Sequence, residues 1–71
     1  MTWEEAIIQV LRESDTPRKR FDIVDEIMAK GYVNTTARNI YSPAWPNYFD
    51  RLLREGRIVY ANGQRGVYQL P

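Results

Sequence analysis

The side chains that most often carry out chemistry in proteins, Cys and His, are both absent from this 71-residue sequence. Their absence excludes disulfides, thiolate metal sites and the usual zinc ligand sets, and it removes the commonest general base. Carboxylates, Lys, Tyr and two serines remain as candidates for catalysis. We therefore expect a protein that is not an enzyme and that uses no metal and no cofactor.

The chemistry that remains is the recognition of anions by basic side chains. The formal net charge is only +1, but residues 1–31 hold five basic and seven acidic residues, whereas residues 32–71 hold five arginines and two acidic residues. In the first half, Arg18, Lys19 and Arg20 stand at the expected start of a helix, where the helix dipole already disfavours cations. This cluster indicates an anionic partner, and it is equally typical of a short solvated charge run.

The first element that must position these groups is an amphipathic helix at the N-terminus. Thr2 and Glu5 form a capping-box pattern, and the helix should end near Ser14. Its apolar residues recur at helical spacing and should form the core face. They are Trp3, Ala6, Ile7, Val10 and Leu11.

A second helix is predicted from Pro17, capped by Asp15 or Thr16, to about Lys30, with Gly31 as its left-handed stop. Its apolar residues predict one buried face. That face comprises Phe21, Val24, Ile27 and Met28, with Ile23 at its margin.

Two prolines, Pro43 and Pro46, divide the next helical region, because a proline pushes the residue before it out of the helical conformation. We expect a short third helix from about Thr35 to Tyr41 and a further helix from about Pro46 to Glu55. The alternative is a single helix with both prolines in its first turn. The later helix should end at Gly56 and bury Phe49, Leu52 and Leu53.

After Gly56 the pattern changes from a helical to a strand period, which predicts a hairpin. Asn62 and Gly63 tolerate positive φ and place the turn. The expected register pairs Ile58 with Tyr68 and Tyr60 with Gly66. One face of the hairpin should then cover the helices. It carries Ile58, Tyr60, Tyr68 and Leu70.

Two stretches of the sequence resemble known families. The ending "LLREGRI" followed by "GVYQL" resembles the close of many winged helix-turn-helix domains, and the opening "TWEEAIIQVLRESDTPRKRFDIVDEIMAKG" is similar to the start of the HARE helix-turn-helix family. HARE domains usually have a Thr-Pro step before the third helix, where this chain has "NTTARN". The resemblance implies one winged-helix domain over residues 1–71, mainly α with a small β-hairpin (α+β). Three to four helices would precede a two-stranded wing.

The winged-helix resemblance also implies DNA binding, with the third helix in the major groove and the wing on the backbone or minor groove. Carried over by position, Arg38 would bond guanine and Asn39 adenine, while Thr35 or Thr36 would hold phosphate. The same side chains would also serve as helix caps and solvated surface.

Other candidate contacts flank that third helix. Gln64 and Arg65 at the wing tip are suited to phosphate or the minor groove. Trp45, between the two prolines, would either complete the core or stack on a base. The HARE resemblance implies that this base could be a modified one. The whole expected DNA-contacting set is Thr35, Thr36, Arg38, Asn39, Trp45, Asn47, Arg51, Gln64, Arg65, Arg18, Lys19 and Arg20.

The expected function is thus that of a small transcriptional regulator or specificity module on double-stranded DNA. The alternative is a winged helix for protein contact or homodimerisation, and a larger host protein is a further expected partner. The two functions differ in what they require of the arginines. DNA binding requires that the arginines form one positive surface. Pairing with Asp50 and Glu55, at the i,i+4 spacings Asp50–Arg54 and Arg51–Glu55, would neutralise that surface. With no apolar run of roughly 20 residues and an acidic N-terminus, we expect no membrane partner and a soluble, cytoplasmic protein.

Overall fold

The structure, a computed structural model, describes residues 1–33 and 45–71, with backbone alone at residues 45 and 46. Three helices and three strands lie in these ranges, and the strands form one antiparallel sheet with the last strand in its centre. The predicted α+β class is confirmed, with three strands instead of two; the predicted third helix lies outside the described residues. The elements are α1 (Trp3–Glu13), β1 (Arg18–Lys19), α2 (Arg20–Lys30), α3 (Trp45–Arg54), β2 (Val59–Tyr60), a 3-10 turn (Ala61–Gly63) and β3 (Val67–Gln69).

Helix α1 begins with the predicted capping box. The Glu5 N–H donates to the Thr2 hydroxyl at 3.2 Å, and the Thr2 N–H donates to the Glu5 carboxylate at 3.3 Å. The helix ends at Glu13, beside the predicted Ser14. Its core face is as predicted, except that Trp3 is half-buried and stacks on Tyr48 with ring centroids 6.4 Å apart. The buried residues are Ala6, Ile7, Val10 and Leu11.

The predicted start of the second helix at Pro17 is wrong. Arg18 and Lys19 are extended and pair with β3, so α2 begins at Arg20 without a side-chain cap from Asp15 or Thr16. A two-residue strand has no period that a sequence can reveal. It forms here because β3 offers an edge whose backbone groups need partners.

The buried face of α2 also differs from the prediction. Ile23 is fully buried, whereas Phe21 is 70% exposed. Arg20 turns inward, and its guanidinium lies over two aromatic rings of the core. It is the first residue of an inward-facing stripe at the helical spacing i, i+3, i+4 and i+7. The stripe continues through Ile23, Val24 and Ile27, and the helix ends at the predicted Gly31, with φ +66°.

Helix α3 is the helix predicted from about Pro46 to Glu55, and it lies within one residue of those bounds. Phe49 and Leu52 are buried, and Leu53 packs on the core from a half-buried position. Gly56, with φ +75°, closes the helix with its N–H on the Leu53 carbonyl.

The hairpin turns at Asn62 and Gly63 as predicted, both with positive φ. The predicted register is wrong by two residues, because Tyr60 pairs with Tyr68 instead of Gly66. Two successive turns, closed by hydrogen bonds from Gln64 N–H to the Ala61 carbonyl and from Val67 N–H to the Gln64 carbonyl, lengthen the loop. An even shift leaves each side chain on its predicted face, so the predicted face still packs on the helices.

We predict that Ile23→Ala lowers the free energy of unfolding by about 3 kcal/mol, since it empties a buried site, while Phe21→Ala costs less than about 1 kcal/mol. Urea unfolding followed by circular dichroism measures both. If the first variant is too unstable, Ile23→Val should cost about 1 kcal/mol. Equal losses at the two positions would contradict the observed face of α2.

Candidate nucleic-acid interface

Helix α3 presents a polar stripe on the side opposite Phe49 and Leu52. The stripe follows the i, i+3, i+4, i+7 spacing, and its side chains line one open groove. We name it the α3 stripe: Asn47, Asp50, Arg51 and Arg54. It brings together two of the predicted contacts, Asn47 and Arg51, and adds Arg54, which lay outside the predicted set.

The two i,i+4 ion pairs that the sequence allows along α3 do not form. The Arg51 guanidinium lies 2.9 Å from the Glu4 carboxylate of α1, and Glu55 lies 3.8 Å from Arg57. Within the described residues, Asp50 and Arg54 make no ion pair with each other or with any other side chain. The Arg51 side chain is still 61% exposed, so its pair is of the weak, solvated kind.

A second cationic group lies at the hairpin. Gln64 and Arg65 are exposed in the turn, and Lys19 on β1 is exposed beside it. Lys19 pairs with Val67, two residues from Arg65, and the neighbouring Arg20 N–H donates to the Gly66 carbonyl at 3.2 Å. We name Lys19 and Arg65 the hairpin cations. Neither has an ion pair in the part of the chain that the structure describes.

Arg18, by contrast, belongs to a network that joins α1 to α2. Its guanidinium donates to the Ser14 hydroxyl at 3.1 Å and lies 3.7 Å from Glu26. Lys30 bridges Glu26, at 3.4 Å, and Glu13, at 3.0 Å. Arg18 is therefore less available to a ligand than the sequence indicated.

Glu13 is the hub of this network. The Tyr32 hydroxyl lies 2.6 and 2.7 Å from its two carboxylate oxygens. Hydrogen bonds from Tyr32, then Lys30, then Gln9 hold the pKa of the Glu13 carboxyl at about 2, below its usual 4.5. The same hydrogen bond from Tyr32 raises the pKa of that phenol.

Arg20 holds the base of the hairpin. Its Nη2 and Nε donate to the Tyr68 hydroxyl at 2.6 and 3.2 Å, and its guanidinium carbon lies 5.2 Å from the Phe49 ring centroid. Tyr68 is fully buried. The half-buried Arg20 thus joins α2, α3 and β3, so its described contacts position neighbouring elements and do not present a free cation.

The remaining predicted contacts cannot be placed with these groups. Thr35, Thr36, Arg38 and Asn39 lie outside the described residues, and of Trp45 only the backbone, at the start of α3, is described. Across residues 1–33 and 45–71, no three acidic side chains are grouped so as to hold a metal ion. The same ranges contain no helix whose length and apolarity would let it cross a membrane.

We predict that Tyr68→Phe lowers the free energy of unfolding by about 1.5 kcal/mol, because it removes the acceptor of two hydrogen bonds from a charged donor. Tyr60→Phe is the matched control, since no described residue hydrogen-bonds the Tyr60 hydroxyl and its ring packs against that of Tyr68 with centroids 5.5 Å apart. Chemical unfolding measures both variants. Equal losses would show that the Tyr68 hydroxyl does not anchor Arg20.

We predict that Glu13 makes the fold sensitive to acid. Because folding lowers the pKa of Glu13 to about 2 from 4.5, its stabilisation is complete above pH 4.5 and is lost as the pH falls toward 2. The free energy of unfolding, measured at a series of pH values between 6 and 2, should vary less with pH for Glu13→Gln than for the wild type. An unchanged pH profile would mean that the network does not persist in solution.

Comparison of the chain with protein-family models, curated proteins and solved structures finds no match.

Proposed function

We propose that this chain is a DNA-binding winged helix that contacts duplex DNA through the α3 stripe and the hairpin cations. The observation that carries the proposal is the exposure of Arg54, Lys19 and Arg65, which have no carboxylate partner within the described residues. Cations that a fold leaves unneutralised are available to replace the counterions of a phosphate backbone.

The arrangement of the elements supports the same proposal. Helix α3 leads directly into a hairpin, and the sheet order β1-β3-β2 agrees with a helical domain that carries a small wing. The resemblance places the predicted third helix in the major groove, and the polar side of α3, which follows that helix in the chain, also fits this groove, which is about 12 Å wide. The hairpin turn, with Gln64 and Arg65, would then follow the backbone.

Each side chain of the α3 stripe has a distinct proposed role. Asn47 bonds a base edge, for which the carboxamide suits adenine, while Arg54 and Arg51 contact phosphate or guanine. Arg51 exchanges its exposed pair with Glu4 for a phosphate at small cost. The segment with Thr35, Thr36, Arg38 and Asn39 precedes α3 in the chain and belongs to the same proposed surface.

Asp50 favours the competing function, contact with another protein. Its carboxylate lies in the middle of the α3 stripe, where it would repel phosphate. The two functions therefore predict different effects of removing this charge. Asp50→Asn strengthens binding if the stripe faces DNA, and it leaves DNA binding unchanged if the stripe faces a protein.

The test is fluorescence anisotropy with a mixed-sequence duplex between 50 and 200 mM salt. Four phosphate contacts, from Arg51, Arg54, Lys19 and Arg65, predict a slope of log affinity against log salt of about −3.6. Arg54→Gln, Lys19→Gln and Arg65→Gln should each weaken binding and reduce the slope by about 1. Arg38→Ala with Asn39→Ala tests the preceding segment.

Arg57→Gln is the control with the same loss of charge. Arg57 is exposed but lines a groove with α1 residues, away from the α3 stripe. It should leave the slope unchanged. If the protein shows a cooperative unfolding transition but does not bind DNA at 50 mM salt, the proposal is overturned. If Arg54→Gln and Arg57→Gln weaken DNA binding equally, α3 is not part of the DNA-binding surface.

A further inference from the structure

Helix α1 carries a second stripe, on the side opposite its core residues. Four residues at the i, i+3, i+4, i+7 spacing line one groove together with Met1 and Arg57. We name them the α1 stripe: Glu5, Ile8, Gln9 and Arg12. Ile8 and Gln9 are half-buried in its middle, and Glu5 and Arg12 are exposed at its two ends.

The two ends of the α1 stripe carry opposite charges. Arg12 has no ion pair within the described residues. Glu5 accepts the Thr2 N–H through one carboxylate oxygen, Oε1. Hydrogen bonds from Thr2, and then the positive charges of the N-terminal ammonium and Arg57, lower the pKa of the Glu5 carboxyl. Arg57 has a carboxylate of its own, Glu55, at 3.8 Å.

With Glu5 at one end and Arg12 at the other, the four residues of the α1 stripe are complementary to their own antiparallel copy. The Met1 ammonium and Arg57, which line the same groove, have partners of their own in the Tyr32 carbonyl and Glu55. A two-fold axis between positions 8 and 9 brings Glu5 of one copy opposite Arg12 of the second, and does so twice, as an isologous interface requires. Seven residues at 1.5 Å each separate the two pairs by about 10 Å along the helix, with Ile8 and Gln9 between them. A parallel arrangement would instead oppose like charges.

We propose that two copies of this chain associate through antiparallel contact of their α1 stripes, with reciprocal Glu5–Arg12 ion pairs around a centre of Ile8 and Gln9. One stripe of a three-turn helix gives an interface at the small end of the range for specific contacts. The association is therefore weak, with a dissociation constant on the order of 100 µM, and it weakens with salt. It does not depend on the proposed DNA binding.

Sedimentation equilibrium without DNA, from about 10 µM to 1 mM protein in low salt, tests the proposal. The wild type should dimerise. Arg12→Glu and Glu5→Lys should each be monomeric alone, because each opposes like charges across the axis. An equimolar mixture of the two variants should form heterodimers, because both cross pairs are then complementary.

Controls separate this interface from folding effects and from other surfaces. Arg12→Lys keeps the charge and should dimerise, and Arg54→Glu reverses a charge on α3 and should also dimerise. Because Glu5→Lys removes the capping-box carboxylate, circular dichroism is used to check that this variant is folded. The comparison of Arg12→Lys with Arg12→Glu tests the interface without changing the capping box. A wild type that stays monomeric at 1 mM, or an Arg12→Glu variant that dimerises normally, overturns the proposal.

Discussion

The Tyr68 hydroxyl and the Arg20 guanidinium form the contact on which the rest of the domain depends. Tyr68 is the largest fully buried side chain among the described residues, and its hydroxyl accepts two hydrogen bonds from the inward-turned Arg20. Since a buried polar group without a partner is costly, this pair fixes where β1 ends and α2 begins. It also places the Phe49 ring of α3 against the guanidinium. The polar side of α3 is thereby directed away from the core.

The charges of the described residues fall into two groups, one with ion-pair partners and one without. Around the ends of α1 and α2, Arg18, Lys30, Glu13 and Glu26 compensate one another in a connected network. On α3 and the hairpin, Arg54, Arg65 and Lys19 lack such compensation in the described ranges. A formal net charge of +1 therefore conceals an uneven surface field, and local field, more than total charge, attracts a charged ligand.

Local rules were sufficient to predict some of these elements. The capping box of Thr2 and Glu5, the left-handed Gly31 and the Asn62–Gly63 turn each depend on neighbours within a few residues, and each is present. The exposure of Asn47 and Arg51 likewise follows from the helical period that buries Phe49. These features are encoded where they occur, so a sequence pattern reveals them.

Distant partners determined what the sequence could not reveal. Arg18 and Lys19 become a strand because of β3, about 50 residues away, and Arg51 pairs with Glu4 instead of the nearer Glu55. The inward position of Arg20 required knowledge of Tyr68, without which a charged residue is assigned to the surface and Phe21 to the core. The same long-range pairing carried Lys19 from the presumed helix start to the side of Arg65, and so assembled the hairpin cations from residues far apart in the chain.

Helix α1 explains how so short a chain can support more than one surface. A domain of this size buries only about 60% of the surface that its unfolded chain exposes, so each helix keeps part of its surface exposed to solvent. One side of α1 holds the core, a flank with Trp3 and Glu4 contacts Tyr48 and Arg51 of α3, and the α1 stripe stays outside. Because the flank ties α1 to α3 through an exposed ion pair and one ring contact, a ligand that takes Arg51 from Glu4 leaves the ring contact in place. The α3 stripe can therefore exchange partners without releasing the helix from the core.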